Sequence, residues 1–426
     1  MTISKRDFLK ASGASLVALS VASQAKESPK NNHPSSALKD ITGSVSGITL
    51  AERKARIAKA QKIMQHSNIA ALVLEPGPSM DYFTGIQWWR SERVTAVIIP
   101  QSGEIAVVCP FFEEPSIRES LVIGDDVRVW QEHESPFKQV KQILKDRGLT
   151  KGNLAFEHSV RYFVLQGIMS EVTAMKDVSA EPITRGCRMI KSAHELQLMH
   201  KANEITLNAY AYVYSQLAVG MTGSDVKTLM HSAQSSLGGQ GIWNMALINE
   251  ASAFPHGTKQ KQSIKEGSIV LMDCGCSVYG YQSDISRTFV VGQPSKYQEK
   301  IWRTVRQGQE IAFETAKIGT PAGKVDDAVR EYYQTQGLGP DYKLPGLSHR
   351  TGHGIGMKGH ESVNFVHGEQ EKLQAGMCFS NEPGIYIPGS FGVRLEDCLY
   401  MTDKGPRWFT VPPDSLDSPI GQLAKL

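Results

Sequence analysis

Apolar and polar positions follow two different periods along the first half of the chain. "AERKARIAKAQKIMQHSN" repeats its apolar residues every three or four positions, which predicts an amphipathic helix, and "IAALVLEP" is an unbroken apolar run of the length of a buried strand. "VTAVIIP" and "EIAVVCP" predict two more strands, and "SPFKQVKQILKDRG" a helix stopped at Gly148. This alternation from about Leu50 to Pro182 predicts an α/β domain. "RMIKSAHELQLMHKANEITLNAYAYVYSQL" opens a long helical run, so a boundary is expected near Arg185, between domains 48–184 and 185–426. The second domain carries strands at "SIVLMDCG", "SRTFVVG", "MCFSNEPGIYIP" and "GVRLEDCLYM", separated by helices.

The first 47 residues break this pattern. A basic start (Lys5, Arg6, Lys10), an apolar stretch from Ala11 to Ala22 and a small-residue end at Ser23-Gln24-Ala25 have the layout of a removable export signal over residues 1–25. It resembles a bacterial twin-arginine signal with Lys5-Arg6 in place of the arginine pair, which implies a periplasmic mature protein; the bland alternative is a first helix of the fold. Residues 26–47, rich in Ser, Pro and Asn, read as a flexible linker. With 426 residues, 41% hydrophobic and 21% charged, the chain suits two globular domains, and a net charge of +3 gives no reason to expect nucleic acid or a membrane as partner. Six scattered cysteines form no disulfide framework and read as small core residues.

Four acids stand out against this background. Asp273 ends an apolar run and shares a strand face with Ile269 and Leu271, where a charge is costly unless paired or bound to metal. Asp284 follows eleven residues later. Pro383 biases Glu382 to an extended backbone and Gly384 permits a turn directly after it. Arg394 and Glu396, two apart on an expected strand, point to one face, so the arginine can hold the glutamate. "SHRTGHGIGMKGHE" adds His349, His353 and His360 among glycines that cost a helix about 1 kcal/mol each, so it reads as strand or loop. Asp273, Asp284, His353, Glu382 and Glu396 together bring four negative charges and one imidazole. Two divalent cations balance those charges where one leaves two uncompensated, which favours a dinuclear centre with oxygen-rich ligands suited to Mn(II), Co(II) or Zn(II).

These residues, in this order, resemble the pita-bread metallopeptidases: aminopeptidase P, prolidase and, more distantly, methionine aminopeptidase. The matching stretches are "MDCGCSVYGYQSDISRTF", "HRTGHGIGMKGHE", "SNEPGIYI" and "GVRLEDCLYM". The resemblance implies a creatinase-like N-terminal α/β domain followed by a pita-bread (α+β) catalytic domain. It implies Asp273, Asp284, His353, Glu382 and Glu396 as ligands of two divalent metal ions, with a bridging water as nucleophile and Glu382 as its proton shuttle. His256 in "FPHGTK" and His360 match catalytic histidines near the substrate, and His349 matches a pocket histidine that binds substrate or supports the site. Trp88 and Arg90 fall where the family's N-terminal domain reaches a proline-containing peptide, often across a homodimer; packing within that domain is the alternative. The implied reaction is hydrolysis between an N-terminal residue and a following proline. A metal-free creatinase-like C–N hydrolase and a non-catalytic binding protein on the same fold are the rivals, and both ordinarily lack the full ligand set that is present here. Some dipeptidases of the family hold the free proline carboxylate with an arginine between the second histidine and the first metal-binding glutamate. Residues 361–381 contain none, which predicts that Xaa-Pro-Yaa peptides are taken at least as well as Xaa-Pro.

Overall fold

The computed structural model describes residues 38–426; the expected export signal over 1–25 and the first part of the linker lie outside the described residues. The end of that linker is seated rather than free, which corrects its expected extent to residue 47. The Ile41 N–H donates to the Leu237 carbonyl (3.2 Å), and Leu38, Ile41, Val45 and Ile48 pack against the core. Apolar residues three or four apart give this polar stretch one side to bury.

Helix α1 (Leu50–His66) starts at a reciprocal cap, in which Thr49 and Glu52 each hold the other's backbone N–H. Strands β1 (Ile69–Leu74), β2 (Ala96–Pro100), β3 (Ala106–Pro110), β4 (Asp126–Trp130), β5 (Gly152–Phe156) and β6 (Met175–Ser179) form one mixed sheet in the order β4-β3-β2-β1-β5-β6. The helices are α2 (Pro78–Thr84), α3 (Glu114–Ser120), α4 (Pro136–Asp146), α5 (Tyr162–Glu171) and α6 (Glu181–Arg188). Ala96 and Ile98 face a core with Val140, Ile143 and Val164 of α4 and α5. Val97 and Ile99 face the opposite one, with Ile57 of α1 and Ile183 of α6. Both faces are buried, which is why the central strands read as unbroken apolar runs.

The second core continues through Leu198, Met199 and Ile205 of α7 (Ala193–Gln216) to Val270 and Met272, so the two domains share it. The long helical run expected from residue 188 is divided. α6 ends at Arg188 and Ser192 caps α7, its hydroxyl accepting from the Glu195 N–H.

Beyond α8 (Gly223–Ser236), strands β7 (Gln240–Ile248), β8 (Ile269–Val278), β9 (Tyr281–Gln282) and β10 (Ile285–Val290) make an antiparallel sheet. After α9 (Lys296–Thr315) and α10 (Gly323–Thr335) come β11 (Gly352–Gly354), β12 (Glu361–Phe365) and β13 (Cys378–Asn381), which join β16 (Asp397–Thr402) and β17 (Gly405–Trp408) in a five-stranded sheet. β14 (Gly384–Ile387) and β15 (Phe391–Arg394) pair separately. Thus "MCFSNEPGIYIP" and "GVRLEDCLYM", expected as one strand each, both break. Pro383 has no N–H for a ladder, and Leu395-Glu396 crosses from one sheet to the other. Each break carries an acid, and a bridge between Ser286 and Glu396 ties the second break to β10.

Candidate metal centre

The hairpin β8–β10 brings the first two acids together. Asp273 lies opposite Ser286, and Asp284 directly precedes β10. The sheet containing β11 supplies His353, and the two broken strands supply Glu382 and Glu396. Among the described residues, Asp273, Asp284 and Glu396 can each turn one ligand atom to within 4.8 Å of the others, as can His353, Glu382 and Glu396, and Asp284, His353 and His360. His353 Nε2 is 3.3 Å from Glu382 and 3.6 Å from Asp284. Arg394 and Glu396 do face each other (3.9 Å), although no single strand carries both.

The electrostatics of this cluster are those of a cation site. Burial, followed by the neighbouring carboxylates, pushes Asp284 and Glu396 well above the usual carboxylate range. Glu382 is raised to about 7, again chiefly by burial, with Arg394 opposing. His353 is 1% exposed, and burial holds its imidazole neutral, the form that binds metal. Asp273 Oδ1, Asp284 Oδ1 and Glu396 Oε1 are buried without a hydrogen-bond partner among the described residues. Buried polar atoms are ordinarily paired, so three orphaned oxygens on one group of neighbouring acids fit divalent cations as their missing partner.

Arg394 organises the rim. Its guanidinium ion-pairs with Asp273 Oδ2 and donates to Ser286 Oγ (2.9 Å), the Tyr386 hydroxyl (3.0 Å) and the Pro255 carbonyl (3.3 Å). Ser286 in turn donates to Glu396 Oε2 (2.7 Å). Arg394 therefore supports the acids and steadies the segment that carries His256.

The three histidines take different roles in the geometry. His349 Nδ1 donates to the Arg350 carbonyl (2.7 Å), so Nε2 is the acceptor from Tyr386 Oη (2.8 Å). Burial, then the Arg394 charge, lowers His349 to about 3. Both of its nitrogens are thus used within the protein, which favours the supporting role over substrate contact. His360 is exposed, with its ring 4.2 Å from that of His353, and burial of part of the ring together with the Arg350 charge lowers its pKa. His256 is exposed and lines an open groove of about 830 Å³ with Met245, Lys227, Lys259 and Lys261.

Trp88 and Arg90 are not drawn into this cluster. Trp88 stacks on Trp89 (4.3 Å), and Arg90 donates to the Pro76 carbonyl (3.0 Å) and Ser159 Oγ (2.8 Å). These contacts lie within the N-terminal domain, while Arg90 itself is exposed, so they accompany the packing alternative without deciding against substrate contact across a homodimer. Tyr386, conversely, escaped the sequence reading. Its signal lay in "NEPGIY", two residues past Gly384, where a Cβ would stand 2.6 Å from the Tyr386 hydroxyl. That glycine makes room for the hydroxyl as well as allowing a turn.

Comparison with known proteins agrees with this geometry. The pattern of Metallopeptidase family M24 matches residues 197–403, and that of the Creatinase/Prolidase N-terminal domain matches residues 56–190. A probable dipeptidase, PepE, of Mycobacterium bovis is 31% identical over 358 residues, covering 82% of this chain and 92% of that protein. An Xaa-Pro dipeptidase of Lactobacillus helveticus is 29% identical over 362 residues, 83% of this chain and 95% of that one. The crystal structure of a prolidase from Thermococcus sibiricus superposes with a TM-score of 0.78 at 26% identity, covering 85% of this chain and 97% of that one.

Proposed function

This chain belongs to metallopeptidase family M24, as a hydrolase of the prolidase and aminopeptidase P type, and on that premise we propose that it cleaves the bond between an N-terminal residue and a following proline with two divalent cations. The observation that carries the proposal is that Asp273, Asp284 and Glu396, each with an orphaned carboxylate oxygen, lie in one cluster with His353 and Glu382. Four carboxylates balance two cations in charge, and Mn(II) is the ion we expect, with Co(II) and Zn(II) as substitutes. When bound, such ions supply Lewis acidity and make a water acidic enough to attack near neutral pH.

The chain's own residues do the rest. Glu382, held beside His353 at the break before Pro383, accepts a proton from the attacking water and returns it to the leaving amine. His360, exposed beside His353, donates to the oxygen of the scissile carbonyl as negative charge develops there. His256 contacts the substrate from the groove side. Arg394 and Tyr386 hold Asp273 and His349 in place while this happens.

The name of the Lactobacillus relative supports the Xaa-Pro preference. Protein loaded with Mn(II) should hydrolyse Ala-Pro or Ala-Pro-Ala far faster than Ala-Ala, and bind close to two ions per chain by elemental analysis. Full turnover by protein measured to be metal-free would overturn the reading. We extend the proposal to a homodimer, tested by sedimentation, and to export with removal of residues 1–25, tested by mass spectrometry of the periplasmic fraction.

A further inference from the structure

Glu361 directly follows His360 and is the hub of a buried charge cluster at the junction of the two domains. Its side chain is 8% exposed and ion-pairs with Arg188, at the end of α6, and with Lys191 (3.2 Å), in the link before α7. The backbone N–H of Lys358 donates to the same carboxylate (3.1 Å), so both sides of His360 are tied to one anchor. Burial opposes ionisation of Glu361, but the two cations outweigh it and hold the carboxyl at about 2. The anchor is built in at the level of the backbone. A Cβ on Gly356 would lie 2.8 Å from Glu361 Oε2 and 2.9 Å from Lys191 Cε, so the last glycine of "GHGIG" lets the chain approach this pair.

The cluster reaches into the N-terminal domain. Arg188 Nη1 donates to Ser79 Oγ on α2 (2.8 Å) and lies 3.9 Å from Glu157. Ser79 and Ser159 both donate to Glu157, and Arg90 donates to Ser159. A continuous polar chain thus runs from Arg90 to the residue beside His360. The His360 imidazole makes no side-chain hydrogen bond among the described residues, so its aim is set by its backbone anchor together with edge-on packing against the His353 ring.

We propose that Glu361, clamped by Arg188 and Lys191, is a positioning residue that fixes His360 toward the scissile bond, and that the N-terminal domain takes part through Ser79 and Glu157. The proposal rests on the reading that His360 faces substrate. A reacting group displaced by about 1 Å costs on the order of 100-fold in rate. Glu361→Gln in the full-length, Mn(II)-loaded protein should therefore lower kcat for Ala-Pro-Ala by about 10- to 100-fold with KM within about threefold, and Glu361→Asp should recover part of the loss. The decisive comparison is a double-mutant cycle. In a His360→Ala background the same Glu361→Gln change should alter kcat by less than about twofold. Glu157→Gln should act in the same direction as Glu361→Gln, by about threefold, and no effect there would remove the N-terminal domain from the proposal.

Losses that multiply, leaving the double variant as far below His360→Ala as Glu361→Gln lies below wild type, would overturn it, because a purely structural defect behaves that way. If Glu361→Gln does not fold, Glu361→Gln with Lys191→Met removes one charge of each sign and is read in the same cycle. A second readout is independent of turnover. In ¹³C-histidine-labelled protein, Glu361→Gln should shift or broaden the imidazole signals of His360 and leave those of His256 in place. Unmoved His360 signals overturn the positioning role, whereas a wild type that shows the dependence by NMR but cleaves no Xaa-Pro peptide overturns the proposed function alone.

Discussion

Asp397 and Glu396 are neighbours in the chain and almost equally buried, at 0% and 1% exposure, but face different surroundings. Behind the strand, Asp397 is fully partnered: Arg287 donates through Nη1 (3.1 Å) and Nη2 (2.7 Å), Gln309 through Nε2 (3.0 Å) and Thr410 through Oγ1 (2.5 Å). In front of it, Glu396 accepts one hydrogen bond, from Ser286, and its other oxygen has no partner among the described residues. Burying a charge costs several kcal/mol unless bonds are made to it. The fold meets that cost with its own donors on one side and leaves it for a ligand on the other. Closure by protein groups marks a structural charge, and an anion left open among other anions marks a site.

The largest expected effects come from exchanging these two situations. Asp397→Asn leaves Arg287, also fully buried, without its counter-charge, and should cost about 3–5 kcal/mol of stability. Glu396→Gln and Asp273→Asn should instead lower kcat/KM by at least about 10³-fold, several kcal/mol of barrier, with an unchanged circular dichroism spectrum. In metal-free protein, Glu396→Gln should be neutral or stabilising, since it removes one of several mutually repelling carboxylates. Urea unfolding of the three variants with and without metal checks all of this, and a metal-free Glu396→Gln much less stable than wild type would break the comparison.

A smaller effect separates the two regions by pH. Glu382 is raised from 4.5 to about 7 in the folded chain, and Asp284 and Glu396 are raised in the same direction. Between those two pH values the metal-free native state binds more protons than the unfolded chain, so the stabilisation is complete below 4.5 and is lost as pH rises through about 7. Each such proton contributes a slope of at most about 1.4 kcal/mol per pH unit. Below about 6.5 the buried His349 and His353 act with the opposite sign, so the Glu382 contribution is read as a difference. Metal-free wild type should lose unfolding free energy relative to metal-free Glu382→Gln between about pH 5 and 7, and cations should flatten or reverse that trend. A difference between the two that grows in favour of wild type over this range would refute the electrostatic reading.

The sequence made the site legible because each of its residues breaks a local rule. Asp273 interrupts an apolar strand, Glu382 precedes a proline, and His353 stands between glycines. The N-terminal sheet was partly legible for a related reason: its central strands are buried on both faces, while the edge strand Met175–Ser179, with three exposed residues, carries too little apolar signal to be seen. Two kinds of feature stayed hidden. The breaks in "MCFSNEPGIYIP" and "GVRLEDCLYM" depend on which sheet each half joins, which is decided by pairing across more than a hundred residues, as between Ser286 and Glu396. The partners of Arg90 and Arg93 were equally unreadable, because Ser159 and Glu132 lie 69 and 39 residues away.

Those partners bear on the smallest effect, the length of the substrate. With no arginine in residues 361–381, tripeptides were expected to be at least as good as dipeptides unless Arg90 or Arg93 supplied a carboxylate clamp. Within this chain Arg90 is bound to Pro76 and Ser159, and Arg93 to Glu92 and Glu132. Within the segment itself His367 pairs with Asp327 (2.6 Å), and Lys372 is exposed beside Pro321. Of the arginines at the ligand cluster, Arg394 is held by Asp273, which leaves Arg350. It is half-buried, its charge bears on His353, His360 and Glu382, and it has no ion-pair partner among the described residues. A guanidinium so situated offers a free carboxylate the bidentate contact that a lysine cannot. A charge-assisted contact of this kind is worth about 1.5–3 kcal/mol, or roughly 10- to 150-fold in discrimination. Ala-Pro and Ala-Pro-Ala should therefore have kcat/KM values within about tenfold of each other, and Arg350→Met should lower the Ala-Pro value at least about tenfold more than the Ala-Pro-Ala value. Equal losses on both substrates would return Arg350 to a general electrostatic role and leave the dipeptide carboxylate without a partner in this chain.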